Sequence, residues 1–312
     1  MLNVLKPTAI TADAQIISIS TTESADATWS NATTYALGNT VKYNHVRYES
    51  LQNTNLNHTP DEVASTWWLA LGPTNNWAMF DSQTSTSTTG TGEIVVRIKP
   101  GAAFNSVAVI GITGAASVTC DIYAGAGGSP VQTQTKSLDN TFISTWYQYF
   151  FEPYDVYTDL LFGALDTSAP AYNWGAYRSG EVVVTITGTS GGATVTCAGI
   201  LVGNTVELGA VQYGAGASIT DYSVKETDAF GSTTLVQRAY AKRASYNLLI
   251  DNAQLRRVHS TLAQLRATPA VWVASSDYRL SPLTVFGFYK DFSMLVAYPQ
   301  HTTCSIEIEG LT

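Results

Sequence analysis

Short runs in which apolar and polar residues alternate dominate this chain, and apolar residues at helical spacing are scarce. Period-two alternation sends successive side chains to opposite faces of an extended strand. Runs of this kind are Gln15–Ser20, Ile94–Ile98, Ser106–Ile110, Val118–Tyr123, Val182–Ile186 and Gly199–Val202. Ala270–Ala274, Thr284–Phe288, Ser293–Tyr298 and Cys304–Glu309 follow in the last third. Glycine and proline punctuate them, the pattern of antiparallel sheets joined by tight turns. One segment has the other period. Ile250, Leu255, Val258, Leu262 and Leu265 make one apolar stripe, with Arg256, Arg257 and Gln264 off it. Asp251 or Asn252 can cap its start and Pro269 follows its end, so a helix is predicted over 251–267.

The pattern predicts a mainly β chain in four parts. Residues 1–24 read as an N-terminal arm with one strand, which must add to a sheet in this chain or in a neighbouring copy because a lone strand is unstable. Residues 25–76 read as a small aromatic β module, where Trp29, Tyr35, Tyr43, Tyr48, Trp67 and Trp68 supply the bulk. Within it Thr40–Tyr43 and Val46–Glu49 form a predicted hairpin turning at Asn44 and His45. Residues 77–204 read as an antiparallel jelly-roll sandwich that opens with the polar tract Ser82–Gly90. Residues 205–312 read as a β-barrel or twisted sheet with the one helix packed on it.

Composition narrows the chemistry. Hydrophobic residues make up 45% of the chain and charged residues only 13%, about half the usual share, so Ser, Thr, Asn, Gln and Gly must keep its surface wet. A formal net charge of −8 argues against a partner bound through phosphate neutralisation, and no nucleic acid is expected. The basic residues that do cluster, Arg238, Lys242, Arg243, Arg256, Arg257 and Arg266, lie in the last third. Salt bridges between subunits and a solvated helix face both account for them. The first five are the candidate subunit-interface residues.

Cys120, Cys197 and Cys304 are far apart, odd in number and without ligand spacing, so they read as buried thiols. No metal or cofactor is expected. Met1–Ile10 lacks the apolar stretch of a secretion signal, and no apolar run approaches the ~20 residues that span a bilayer, so no membrane insertion is expected.

No G-x-S-x-G elbow, HExxH, phosphate loop or dinucleotide fingerprint occurs. The four histidines, His45, His58, His259 and His301, read as surface or turn residues. Glycan cleavage needs two facing acids. Asp61, Glu62, Glu152, Asp155, Asp159, Asp166 and Glu181 are the available carboxylates, most of them in turns or at strand starts. The expectation is a protein that is not an enzyme.

Aromatic rings in a polar setting also suit sugars, whose C–H faces stack on flat rings while polar neighbours meet the hydroxyls. Asn31, Asn53, Asn55 and Asn57 accompany the aromatics of residues 25–76; core packing is the competing account of the same rings. The order of residues from Trp29 through Thr34-Tyr35-Ala36-Leu37-Gly38-Asn39-Thr40-Val41, an aromatic hairpin, and the pair Trp67-Trp68 resembles the small carbohydrate-binding modules of bacterial chitinases and cellulases. That resemblance implies a sugar-binding role for Tyr35 and for one of Trp67 and Trp68. Residues 77–208 look like a galactose-binding-like jelly roll, on Phe104–Ile112 and Cys197–Gly209.

The last third is similar to minor tail or tail-tip proteins of long-tailed bacteriophages, on Ile219–Gly231, Gln237–Arg243, Gly287–Phe292 and Ile306–Leu311. This implies a structural virion protein made in the host cytoplasm, with other copies in a ring, neighbouring tail or baseplate proteins and a host-surface glycan as partners. A free-standing carbohydrate-binding accessory protein is the alternative.

Overall fold

The computed structural model describes residues 1–139, 145–151, 157–166, 174, 177–227, 230–274, 282–296 and 298–311. Across them the chain is mainly β, and all but one of its strand pairings are antiparallel. It opens on two strands, β1 (Leu2–Pro7) and β2 (Ile16–Ile19), where the sequence predicted only the second. β1 escapes the alternation rule because it is buried on both faces: Leu2 and Val4 enter one core and Leu5 another.

The aromatic module follows as β3 (Ala27–Thr28), β4 (Thr34–Tyr35), β5 (Thr40–Tyr43), β6 (Val46–Ser50), β7 (Asn55–Leu56) and β8 (Trp68–Pro73). Its main sheet runs β3-β5-β6-β8, with β4 and β7 paired separately. The predicted hairpin turns at Asn44 and His45, with φ of 46° and 68°. Positive φ at both central residues gives the tight two-residue turn whose twist matches the strands.

The sandwich comprises β9 (Thr88–Thr91), β10 (Glu93–Ile98), β11 (Ser106–Ile110), β12 (Ala115–Tyr123), β13 (Gln132–Ser137), a short helix α1 (Trp146–Phe151), β14 (Leu160–Gly163), β15 (Glu181–Gly188) and β16 (Thr194–Cys197). One wall is β13-β12-β15-β10-β2, so the N-terminal strand predicted to need a sheet finds it within its own chain. The facing wall contains β14 and β11. Val96, Val118, Ile122 and Val184 from one wall meet Val107, Val109 and Phe162 from the other in a closed apolar core.

The rest of the chain is β17 (Gly199–Val211), β18 (Gly216–Asp221), β19 (Val224–Thr227), β20 (Thr233–Val236), β21 (Tyr240–Asp251), α2 (Leu255–Gln264), β22 (Ala270–Val273), β23 (Thr284–Leu295) and β24 (His301–Gly310). The order β17-β1-β22-β23-β24-β21 returns to its start, because β21 also pairs with β17 through Ala210↔Leu249 and Val211↔Leu248. These strands form a closed barrel. Val4, Tyr246, Leu248, Trp272, Ile306 and Ile308 point inside, where α2 adds Val258, Leu262 and Leu265. The Trp272 indole donates to the Gly287 carbonyl at 3.1 Å and the Tyr246 hydroxyl to the Leu283 carbonyl at 2.6 Å, so both buried polar handles are satisfied.

β17 belongs to both halves. Ile200 and Val202 line the sandwich while Leu208 lines the barrel, so the 204/205 boundary drawn from sequence falls inside one continuous strand. At the crossing point a Cβ on Gly203 would stand 2.0 Å from the Lys6 carbonyl oxygen. Only glycine lets β1 pair there.

The predicted helix 251–267 forms as the shorter Leu255–Gln264. Asp251 remains in β21 and accepts the Ala253 amide, while the Asn252 side chain donates to the Tyr298 and Pro299 carbonyls and accepts from Thr302. Both capping candidates are thus spent on the turn before the helix.

Leu5→Ala, in a strand buried on both faces, is expected to cost about 2–5 kcal/mol. Deleting residues 2–7 is expected to abolish the cooperative transition of the barrel in urea unfolding followed by circular dichroism. A deletion variant with an unchanged midpoint would falsify this account of barrel closure.

Candidate functional site

The aromatic module keeps its largest rings for itself. Tyr35, Val41, Tyr48 and Trp68 form its core, with Tyr35 only 7% and Trp68 only 4% exposed. Their rings meet edge to face at 5.2 Å. The Trp68 indole donates to the His58 carbonyl at 2.8 Å, and the Tyr35 hydroxyl accepts the Ser30 amide at 2.8 Å. No face of either ring is open to a sugar, which removes Tyr35 and Trp68 from the candidate surface. The reason is the module's size: so few residues cannot fill a core without them.

Trp67, the residue before β8, packs against the edge of that core rather than inside it. It is half-buried and stacked on His58, with ring centroids 4.0 Å apart and planes 11° apart. The loop beneath is held in shape. Thr54 and Asn57 take positive φ, and fully buried Asn55 donates to Ser50 Oγ at 3.0 Å and to the Trp67 carbonyl at 3.3 Å. Asn55 is therefore a structural residue, while Asn53 accepts the Leu37 amide at 3.1 Å. Trp29 and Tyr43, whose rings meet edge to face at 5.3 Å, are likewise half-buried. His58 was not singled out as the partner of Trp67 by sequence, because nothing in the spacing of residues 58 and 67 signals a stack.

The module's two connecting segments are stitched to each other and to the sandwich. Glu23 accepts the Ser24 and Asn76 amides and the Thr74 hydroxyl, and the Asn75 side chain donates to the Thr22 and Thr89 carbonyls. His45 stacks on Trp77 at 3.6 Å, with Asp13 3.7 Å away. Asp26, leading into β3, is paired with Arg47 of β6 at 2.5 Å. The hydrogen bond from Arg47 lowers the Asp26 carboxyl below its ordinary 3.8, against the opposing effect of its burial.

The basic residues divide. Arg243 pairs with Glu307 on the neighbouring strand, and Arg257 donates to the Glu207 carbonyl at 3.1 Å. Arg238, Lys242 and Arg256 are exposed, with no ion pair among the described residues. Arg238 and Lys242 flank an arm that leaves the barrel. The arm consists of β18 and the β19–β20 hairpin; among the described residues β18 pairs only with β21 and the hairpin with no other strand. Ile219, Tyr222, Phe230, Leu235, Val236 and Tyr240 are all exposed along it.

Of the candidate carboxylates, exposed Glu62 stands apart and four have structural partners. Glu181 is buried against Arg97 at 2.6 Å, Asp166 against Lys136 at 2.7 Å, Asp159 accepts the Gly111 amide and Asp61 the Asn44 side chain. Glu152 and Asp155 lie outside the described residues. The three cysteines are free and buried, and burial pushes the Cys197 thiol up to about 12 and Cys304 to about 11. Among the described residues no group of three or more His, Cys, Asp or Glu is placed to hold a metal ion.

Trp68→Ala is expected to cost the module about 3–5 kcal/mol, and half-buried Trp67→Ala about 1–3 kcal/mol, in thermal unfolding of the two variants. The Asp26–Arg47 pair stabilises the fold above the carboxyl's unfolded value of 3.8 and ceases to do so as pH falls through its lower folded value. Asp26→Asn should therefore be less stable than the parent near neutrality, with the difference closing in acid; a difference that persists undiminished would assign the effect to packing instead. No family model, curated protein or solved structure matches the chain.

Proposed function

We propose that this chain is a structural component of a bacteriophage tail tip or baseplate, assembling with further copies of itself and neighbouring tail proteins through residues 205–312. The aromatic module then projects from that body as an outward contact for host-surface glycan, with Trp67 and His58 as its contact surface. The reading rests first on the resemblance of the last third to tail-tip proteins. The observation that carries it is the arm. A two-stranded hairpin without a third strand or a core beneath it is marginal in water, and β19–β20 has neither among the described residues. β18 is a free sheet edge without proline or lysine, the devices that ordinarily discourage pairing with another chain. Exposed Arg238 and Lys242 at the arm's root add a charge that the acidic remainder of a second copy can meet.

A glycan contact at Trp67 is small, and one such site binds weakly. Repeated around a closed assembly, the same contact gains from effective concentration without any new interaction. The chemistry asked of the protein is binding alone.

Light scattering of the full chain across a concentration series tests the proposal. The expected result is a discrete multimer that becomes a monomer when residues 224–236 are replaced by a short Gly-Ser turn, the unfolding transition being retained. Arg238→Glu with Lys242→Glu should weaken assembly in the same assay. A parent chain that stays monomeric, alone and mixed with its tail partners, overturns the reading. Glycan capture by the assembled parent and not by Trp67→Ala is the matching result for the module.

A further inference from the structure

Strand β21 carries a feature at each end, and the two match. At its start Tyr240 stands 53% exposed, flanked along the chain by the exposed cations Arg238 and Lys242. Tyr240 and Lys242 share one face of the strand, because side chains two positions apart point the same way. At its other end Leu249, Ile250 and Asp251 line a cavity of about 220 Å³ together with Glu207 and Leu208 of β17. Glu207 and Asp251 are exposed, and neither belongs to an ion pair among the described residues. The other ionisable side chains of the lining are Arg257, which donates to the Glu207 carbonyl at 3.1 Å, and His301, the strand partner of Asp251. Beside Tyr240, Asp221 of β18 keeps its carboxylate on the Ser223 amide at 2.9 Å.

We infer that Tyr240 of one copy enters this cavity of the next copy, so that the chain assembles head to tail. The inference rests on the assembly reading above and adds the two surfaces that meet. Size is the first argument. Pockets for drug-sized ligands run to roughly 300–1,000 Å³, and a cavity of about 220 Å³ suits one large side chain instead. Chemistry is the second: a ring set between two cations meets apolar walls set between two carboxylates. A buried aromatic anchor with opposite charges around it is the arrangement from which a contact draws most of its affinity and its register.

Symmetry is the third argument. A twofold contact places the same patch of each copy against itself. Here that would set Arg238 and Lys242 against the same cations, or Glu207 and Asp251 against the same carboxylates, and like charges in contact repel. Only unlike ends bring opposite charges together. Within one chain the two features stay apart, since no described residue between Val211 and Leu248 lines the cavity. Each added copy then offers a fresh Tyr240 or a fresh cavity, and the series ends when rotation brings the last copy onto the first.

Analytical ultracentrifugation of the full chain tests this pairing. Tyr240→Ala is expected to weaken association about thirtyfold or more, and Tyr240→Phe to keep it. Glu207→Lys/Gln254→Lys, which reverses the charge around the cavity, should leave single chains. Mixing the Tyr240→Ala chain with the Glu207→Lys/Gln254→Lys chain leaves one intact anchor and one intact cavity, so the expected species is a particle of two chains and nothing larger. Joining Arg238→Glu/Lys242→Glu to Glu207→Lys/Gln254→Lys in one chain is expected to restore the multimer, a result that a merely unfolded variant cannot give. A multimer that ignores Tyr240→Ala, or a mixture that stays monomeric beside an assembling parent, overturns the inference and leaves the assembly reading standing. A parent that is itself monomeric, alone and with its tail partners, removes the assembly reading and this inference with it.

Discussion

Barrel closure depends on six residues at the start of the chain. β1 pairs with β17 along one edge and with β22 along the other, and both partners come from the final two fifths of the sequence. Without it β17 and β22 would each present an unpaired row of backbone donors and acceptors inside the molecule, and such groups are costly when buried. The strand is also an apolar divider. Leu2 and Val4 complete the barrel interior, while Leu5 enters a second cluster with Leu201, Val271 and Val273 on the opposite face of the same sheet. Sandwich and barrel share β17 and are sealed by β1, so neither has a boundary at which it could be cut out whole. Contacts between residues 2–7 and 203–209 or 271–273 also carry a long loop-closure requirement, which places barrel closure late in folding.

What the sequence disclosed follows from the same physics. Strands with one face in a core alternate visibly, and Ile94–Ile98, Val118–Tyr123 and Val182–Ile186 stand where their periodicity puts them. The Asn44–His45 turn and the apolar stripe of α2 were legible for similarly local reasons. β1 was not, because burial on two faces erases alternation and leaves Leu-Asn-Val-Leu-Lys-Pro looking like a loop. The extent of β17 was hidden by Gly203, Asn204 and Thr205, which resemble a linker, although Gly203 is where two strands approach too closely for a larger residue. For the candidate site, the sequence put Trp67 and Trp68 forward as a pair of which one would be the more exposed. It could not disclose which ring faces in, since that depends on how β8 registers against β6. Tyr35 illustrates the remaining gap: a tyrosine with a local hydroxyl partner is as content buried as exposed.

Several of this chain's few charges are spent on holding it together. Arg97 and Glu181, like Lys136 and Asp166, are pairs in which the acid is buried and the base partly so. Arg97 also lies over the Tyr123 ring at 4.6 Å. Such pairs add little net stability against well-packed apolar residues, but removing one member leaves the other buried and uncompensated. This use of carboxylates has a functional side, because acids committed to cations are not available as an opposed catalytic pair. Arg238, Lys242 and Arg256 are exposed and outside the ion pairs of the described residues, and on the proposed reading such cations on an acidic chain give direction to an encounter between copies.

Polar side chains take over the work that salt bridges do elsewhere, most visibly where the aromatic module joins the body. Glu23, Thr74, Asn75 and Asn76 bind the incoming and outgoing segments into one lattice, and the His45–Trp77 stack closes it from the side. A single covalent tether would let the module sample many directions. Two segments laced together, each bonded also to β9 or to the other, hold it in one. On the proposed reading this matters more than the affinity of Trp67 for any one sugar. Sites held at fixed spacing on an assembled body give up little orientational freedom when a second contact follows the first, so a weak contact repeated in register gains what a flexible one would lose to ordering.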